Sequence, residues 1–389
     1  MAVKIGIVAG EASGDLLGAH LIRAIRQYYP DSEFVGIAGP KMLAERARSL
    51  FPIENLSVRG YIEVLKHLPS LLKLRRELLC NLLAEKPNIF IGIDAPDFNF
   101  WLEKRLKRKG IPVIHYVSPS IWAWRKGRIG KIKQAISHML ALFPFEPALY
   151  EQADIPVSYV GHPLADMLPL EPNVAEARES LKLKPYQLVI AMLPGSRQSE
   201  VMQHADLLIK TAKKVVMESQ GFAPEDIVFL VPLVTRETRT IFDKALFEFQ
   251  SSLNEQDVNP NITVMFGHSH EAMQAADLVI VASGTATLEA ALLKKPMIII
   301  YRMSSLSWQI LKRMHLQSYV GLPNVLAERF VVPELLQHDA TPEKVAETAL
   351  KMLTDKDQLA DIRNTFTGIH QSLRQNTAEK AAQAILKYL

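Results

Sequence analysis

Two carboxylates stand where an apolar run ends, in Gly92-Ile93-Asp94-Ala95-Pro96-Asp97-Phe98-Asn99. Paired acids after a buried strand do little for stability and suit proton transfer. A carboxylate beside apolar walls has its pKa raised toward neutrality, as a general base requires. Pro96 stiffens the turn. Asp97 is expected to cap the helix that begins at Phe98, which leaves Asp94 as the preferred base. No further His, Asp or Glu stands nearby at ligand spacing, so no metal is expected. A second acidic string, Gly10-Glu11-Ala12-Ser13-Gly14-Asp15, follows the first apolar run. Its glycines are four apart and do not make G-x-G-x-x-G, so no dinucleotide cofactor is expected. They would let a substrate approach the backbone, with Glu11 and Asp15 at the mouth of a crevice. A plain loop with Asp15 favouring its own helix dipole explains the string equally well.

Anion chemistry is suggested further along. Leu193-Pro194-Gly195-Ser196-Arg197 offers a tight turn and a guanidinium that forks to a diphosphate, stabilising charge on a leaving group; a helix start capped by Ser196 or Ser199 is the plainer reading. Residues 278–301 read as strand, turn, helix, strand. Ser283-Gly284-Thr285 forms the turn, and Thr285 or Thr287 is expected to cap the helix. Such a helix N-terminus presents unpaired N–H groups and a favourable dipole to an anion. Glu289, about one turn in, is placed to accept hydrogen bonds from ligand hydroxyls, and Lys294 and Lys295 are expected to complement the dipole at the far end. Arg302 and Asn324 complete a nucleotide pocket. His115-Tyr116-Val117-Ser118-Pro119-Ser120-Ile121-Trp122-Ala123-Trp124-Arg125 supplies aromatic and hydroxyl groups for a sugar or acyl pocket, with Tyr116, Ser118, Trp122 and Trp124, together with Ser13, as its lining.

The elements that must carry these groups alternate. Strands are expected at 4–9, 33–37, 88–93, 113–117, 138–142 and 157–160, with helices at 16–28, 61–84, 98–109 and 147–152. A second series has strands at 188–193, 227–231, 262–266, 278–281 and 297–301, and the chain reads as helical from 341 onward. Alternation of this kind implies α/β architecture with mostly parallel sheets. The expected fold is two Rossmann-like domains facing a central cleft, with a helical C-terminal segment. The domains are 1–165, a proline-marked linker at 166–186, 187–345, and helices at 346–389 packing back toward the first domain.

Composition narrows the class. A 389-residue chain with 48% hydrophobic and 22% charged residues suits a folded, two-domain protein. The single cysteine, Cys80, excludes an internal disulfide framework, fits a reducing compartment and is expected to pack within a leucine-rich helix. No secretory signal or spanning segment is evident, so a cytoplasmic location is expected. Ten Lys or Arg and one acid lie between Trp101 and Lys133, a bias that attracts an anionic ligand or lipid surface. No nucleic-acid module accompanies it. Helix 61–84 interleaves leucines with basic residues over a wide apolar face, and Val64, Leu68, Leu71 and Leu72 are its candidate membrane contacts. A second such stretch, 303–316, carries Leu306, Trp308, Ile310, Leu311 and Met314. Core or dimer burial is the commoner explanation for either.

Six strings in order along nearly the whole chain resemble the lipid-A-disaccharide synthase family: Gly10 with the following EASGD, GIDAPDFN at 92–99, HYVSPSIWAWR at 115–125, LPGSR at 193–197, SGTATLE at 283–289 and LPNVLA at 322–327. The resemblance implies an inverting glycosyltransferase of the two-Rossmann (GT-B) type. It would join UDP-2,3-diacylglucosamine to 2,3-diacylglucosamine 1-phosphate, giving the β-1',6 disaccharide of lipid A and UDP. The implied setting is the cytoplasmic face of a Gram-negative inner membrane, peripheral on its anionic surface, with a swapped homodimer in relatives. One displacement needs one base and one leaving-group stabiliser. Asp94 would take the acceptor proton, with Glu11 and Asp97 as second candidates. Arg197 with Gly195, Ser196 and the 283–287 turn would hold the diphosphate, Glu289 the ribose, and Arg302 and Asn324 the uridine side. The rival readings are a UDP-sugar 2-epimerase, which shares this fold, and a non-catalytic lipid- or nucleic-acid-binding protein using the basic patch.

Overall fold

The computed structural model describes residues 3–56, 61–121, 126–303 and 319–389, with the backbone alone for 61–68 and 126. The chain divides into two compact units: Met1–Asp166 joined by Ser372–Leu389, and Met167–Gln371.

The first unit is built on a parallel sheet. Its strands are β1 (Lys4–Ala9), β2 (Glu33–Ala38), β3 (Arg48–Pro52), β4 (Ile89–Ile93), β5 (Val113–Tyr116), β6 (His138–Ala141) and β7 (Val157–Tyr159), in the order β3-β2-β1-β4-β5-β6-β7. The inner strands are apolar runs because helices cover both faces of a parallel sheet; Ile5, Ile7, Ile89, Phe90, Ile91 and Ile93 are fully buried. Strand β3 was not anticipated, since a half-exposed edge strand ending in proline carries no such run. Helix Tyr61–Glu85 buries Leu74, Leu78 and Leu82, one turn apart, and leaves Leu72 and Cys80 exposed. Cys80 therefore does not pack as expected; it lies on the opposite face. The last helix, Thr377–Leu386, packs on helix Ala12–Tyr28, and the Tyr388 hydroxyl lies 3.1 Å from His138 Nδ1 on β6.

The second unit has a sheet of β8 (Leu188–Leu193), β9 (Ile227–Leu233), β10 (Asn261–Phe266), β11 (Leu278–Ala282), β12 (Met297–Tyr301) and β13 (Glu334–Leu336), in the order β10-β9-β8-β11-β12-β13. The proline-marked stretch is not bare linker: helix Val174–Ser180 is capped by Asn173 and held by an Arg178–Asp277 ion pair of 2.7 Å. Lys294 and Lys295 also depart from expectation. Helix Thr285–Leu292 stops before them, and both turn inward. Lys295 Nζ donates to the Ala276 carbonyl at 2.8 Å, and burial pushes its pKa down to about 8.

Both sheets run outward in two directions from a central pair, β1 with β4 and β8 with β11. Where strand order reverses in this way, the loops leaving the two carboxyl ends diverge and open a crevice.

Candidate active site

In the first unit Ala9 pairs with Ile93, so the loops after β1 and β4 leave the sheet side by side. A Cβ on Gly10 would come within 2.4 Å of the Ala95 Cβ, so only glycine lets the turns close this far. Asp94 and Ala95 both adopt left-handed backbone, φ +53° and +45°, at roughly 1–2 kcal/mol each for residues with a Cβ. The turn is held through its main chain. Asp94 N–H donates to the Tyr116 carbonyl at 2.8 Å, and Asn99 Nδ2 donates to the Asp94 carbonyl at 2.8 Å. The half-buried Asp94 carboxylate takes no share in these bonds.

Several neighbours differ from expectation. Helix Pro96–Arg108 begins two residues early, with Ala95 as its N-cap, because proline suits the first helical position. Asp97 is thus not the cap; it lies exposed in the first turn and pairs with Arg128 at 2.9 Å. Asp15 is buried and caps another helix, Pro40–Ala44, accepting from the N–H groups of Lys41 (2.9 Å) and Met42 (3.0 Å). Glu11 and Ser13 stay exposed at the start of helix Ala12–Tyr28. Tyr116 is fully buried, and Ser118 Oγ, also buried, is 2.7 Å from the Tyr150 hydroxyl. Trp122 and Trp124 lie outside the described residues, as do the side chains of Val64 and Leu68 and most of the 303–316 stretch.

In the second unit Leu193 pairs with Val281, which sets the 194–197 loop beside the 283–285 turn. Gly195 has φ +118°, a conformation L side chains avoid. Glu200 Oε2 accepts from the N–H groups of Ser196 (3.0 Å) and Arg197 (3.2 Å), while its Oε1 pairs with the Arg197 guanidinium at 2.9 Å. Arg197 itself is the N-cap of helix Gln198–Glu218, so neither serine caps it. The next helix, Thr285–Leu292, has Gly284 as N-cap and no side-chain cap; Thr287 donates to the Gly284 carbonyl instead of receiving an N–H. Ser283 N–H is bound to the Ile300 carbonyl at 3.0 Å. Glu289 Oε2 lies 2.7 Å from His270 Nε2. The Arg302 guanidinium is bound to the Ala340 carbonyl. Asn324 is fully buried and spends its amide on the carbonyl of Val332, the Glu334 carboxylate and the N–H groups of Val331 and Val332. A ligand would therefore meet the backbone of its loop, not its side chain.

Four residues that hold these loops were missed. Buried His204 ties the 194–197 loop to the end of β12, His270 holds Glu289, and Glu103 and His115 pair beneath the Asp94 turn. His204 lies two turns along the helix that Arg197 opens, a spacing that could have flagged it. The other three meet their partners only across the fold. Among the described residues, no group of three His, Cys, Asp or Glu is arranged to hold a metal.

Two parallel Rossmann-type sheets, each with its polar loops at the strand-order reversal, define the chain as an α/β protein of the GT-B fold. The kitacinnamycin glycotransferase superposes with a TM-score of 0.63 at 12% identity, covering 100% of this chain and 99% of that one. The UDP-GlcNAc 2-epimerase of Neisseria meningitidis gives 0.63 at 13%, covering 100% of each. At such identities the likeness is one of fold. Sequence is more specific: the chain belongs to the lipid-A-disaccharide synthetase family, whose model matches residues 5–388. It is 66% identical over 385 residues to the lipid-A-disaccharide synthase of Methylobacillus flagellatus, covering 99% of each chain. Against the same enzyme of Azoarcus sp. it is 54% identical over 389 residues, covering 100% of this chain and 97% of that one.

Proposed function

We propose that the chain transfers a 2,3-diacylglucosaminyl group from its UDP donor to the 6-hydroxyl of 2,3-diacylglucosamine 1-phosphate, with inversion. The acceptor oxygen attacks the anomeric carbon, its proton passes to Asp94, and UDP leaves with the bonding pair. The reaction rests on family membership over nearly the whole length. The assignment of the base rests on one observation: Asp94 is fixed at the β1/β4 reversal by main-chain bonds that leave its carboxylate out. Asp97 already has Arg128, and Glu11 is the exposed alternative.

The second unit holds the donor. The N-terminus of helix Thr285–Leu292 and Arg197 neutralise the diphosphate, Glu289 accepts from the ribose hydroxyls, and Arg302 with the 321–324 loop borders uridine. Gly195 and Ser196 let the phosphates approach the backbone. Ser13 and the 115–125 segment serve the acceptor. Peripheral attachment to the cytoplasmic face of an anionic inner membrane is supported by exposed Leu72 and by the basic surface, where Arg75 and Arg105 both stack on the Trp101 ring, 4.2 and 3.4 Å from its centroid. Among the described residues no helix is long and apolar enough to cross a membrane. A homodimer belongs to the same reading.

Incubation with the UDP-diacylglucosamine, with and without the acceptor lipid, tests it. Disaccharide and UDP should form together and only when both substrates are present. UDP release without acceptor would point to an epimerase or hydrolase, and absence of turnover to binding alone.

A further inference from the structure

A second polar cluster lies directly beneath the Asp94 turn. Helix Pro96–Arg108 turns Asn99 and Glu103, four residues apart, toward the sheet, and both are fully buried. Glu103 Oε1 lies 2.6 Å from Nδ1 of His115, a β5 residue paired with Gly92 of β4 and likewise fully buried. A Cβ at Gly92 would fall 2.0 Å from Glu103 Oε1, so glycine makes the room that the carboxylate fills. Asn99 reaches up from the same helix face to the carbonyls of Asp94 (2.8 Å) and Ile93 (3.4 Å). Each of the three side chains keeps one polar atom without a partner among the described residues: Asn99 Oδ1, Glu103 Oε2 and His115 Nε2.

Stability does not account for this arrangement. The core between helices and sheet in this unit is built largely of apolar side chains, and a buried ion pair is generally no better than hydrophobic side chains of the same volume. Unpartnered buried polar atoms make it worse. What polar groups supply and apolar ones do not is direction, because a hydrogen bond fixes rotation and depth where packing tolerates a slide. The Asp94–Ala95 turn is itself strained, so its geometry depends on whatever anchors the helix that follows it.

We propose that Glu103 and His115, with Asn99, are positioning residues for the reaction: the pair locks helix Pro96–Arg108 against β4 and β5 so that Asn99 holds the Asp94 turn in its working geometry. Burial pushes the Glu103 carboxyl above its ordinary range, against the opposing pull of His115. The two side chains meet at 2.6 Å with neither reached by solvent, so each fixes the other's direction.

The inference rests on Asp94 as the base, and the test keeps the two apart. The full-length E103L/H115L variant should fold, with a melting temperature equal to or above that of the parent, while kcat falls at least tenfold and KM for the UDP donor stays within twofold. E103Q, which preserves shape and one hydrogen bond to His115, should recover most of the lost kcat. G92A should lower kcat about tenfold by displacing Glu103. Adding E103A to G92A removes the clash and should not restore it. Parent-like kcat in a folded E103L/H115L protein, or recovery in G92A/E103A, overturns the positioning role and leaves Asp94 untouched. If D94N retains turnover, the base assignment fails first. Should the leucine pair not fold, E103Q and the two G92A variants decide by kcat against KM alone.

Discussion

Nε2 of His204 accepts the backbone N–H of Arg302 at 3.0 Å, while its Nδ1 donates to the Pro194 carbonyl at 2.9 Å. One fully buried imidazole thus joins the loop that carries Arg197 to the end of β12, and both bonds demand the neutral ring. Burial holds its pKa below the ordinary value. H204F leaves two buried backbone groups unpaired and should cost about 2–4 kcal/mol in urea unfolding, with a severalfold rise in KM for the donor. The pH dependence follows from the depressed pKa. Below the unfolded value of about 6.5 the unfolded chain binds a proton the folded one refuses, so the contribution is full above that pH and fades as pH falls through it. H204F should lack this acid-side loss.

His270 titrates with the opposite sign. Its hydrogen bond to Glu289 raises its pKa, so what it contributes is full below about pH 6.5 and is lost as pH rises through the folded value. With Glu289 on the ribose, KM for the donor should rise about threefold across that loss. H270A should show the higher KM at every pH and a flat profile, read by initial rates with donor varied.

D94N should lower kcat by roughly a thousandfold, in the range general bases supply, with UDP affinity by calorimetry within twofold of the parent. Turnover near the parent's would remove Asp94 from the mechanism.

R197A should reduce kcat by about a hundredfold, as expected for losing a group that stabilises a departing anion. R197K should recover only part, since an ammonium cannot present a planar fork. Arg197 is 70% exposed, so both variants should unfold within about 0.5 kcal/mol of the parent.

L71D/L72D should reduce sedimentation with anionic phospholipid vesicles severalfold while leaving turnover in detergent micelles unchanged. Leu72 is exposed and Leu71 half-exposed on helix Tyr61–Glu85, so the fold should tolerate the change. Equal vesicle binding by variant and parent would exclude this face.

The sequence by itself determined the family, the two parallel sheets and the strings that carry polar groups. Buried parallel strands write themselves as apolar runs, and strands β8 and β12 have the bounds their runs imply. Glycine marks close approach in advance at Gly10 and Gly195 because no other residue fits there. Edge strands β3 and β13 escaped notice because a half-exposed strand needs no apolar run. What only the tertiary structure decided is which polar side chains are spent on the fold. Asp15 caps a helix that starts 25 residues later, at Pro40, Asn324 braces its own loop, and Asp97 gives up the capping place to Ala95. Composition cannot separate such groups from the Asp94 carboxylate, because a hydrogen bond between residues distant in sequence exists only once strand order has brought them together. Strand order likewise made neighbours of the loops after β1 and β4, and of those after β8 and β11, and with them the His204, His270 and Glu103–His115 contacts that hold the candidate groups in place.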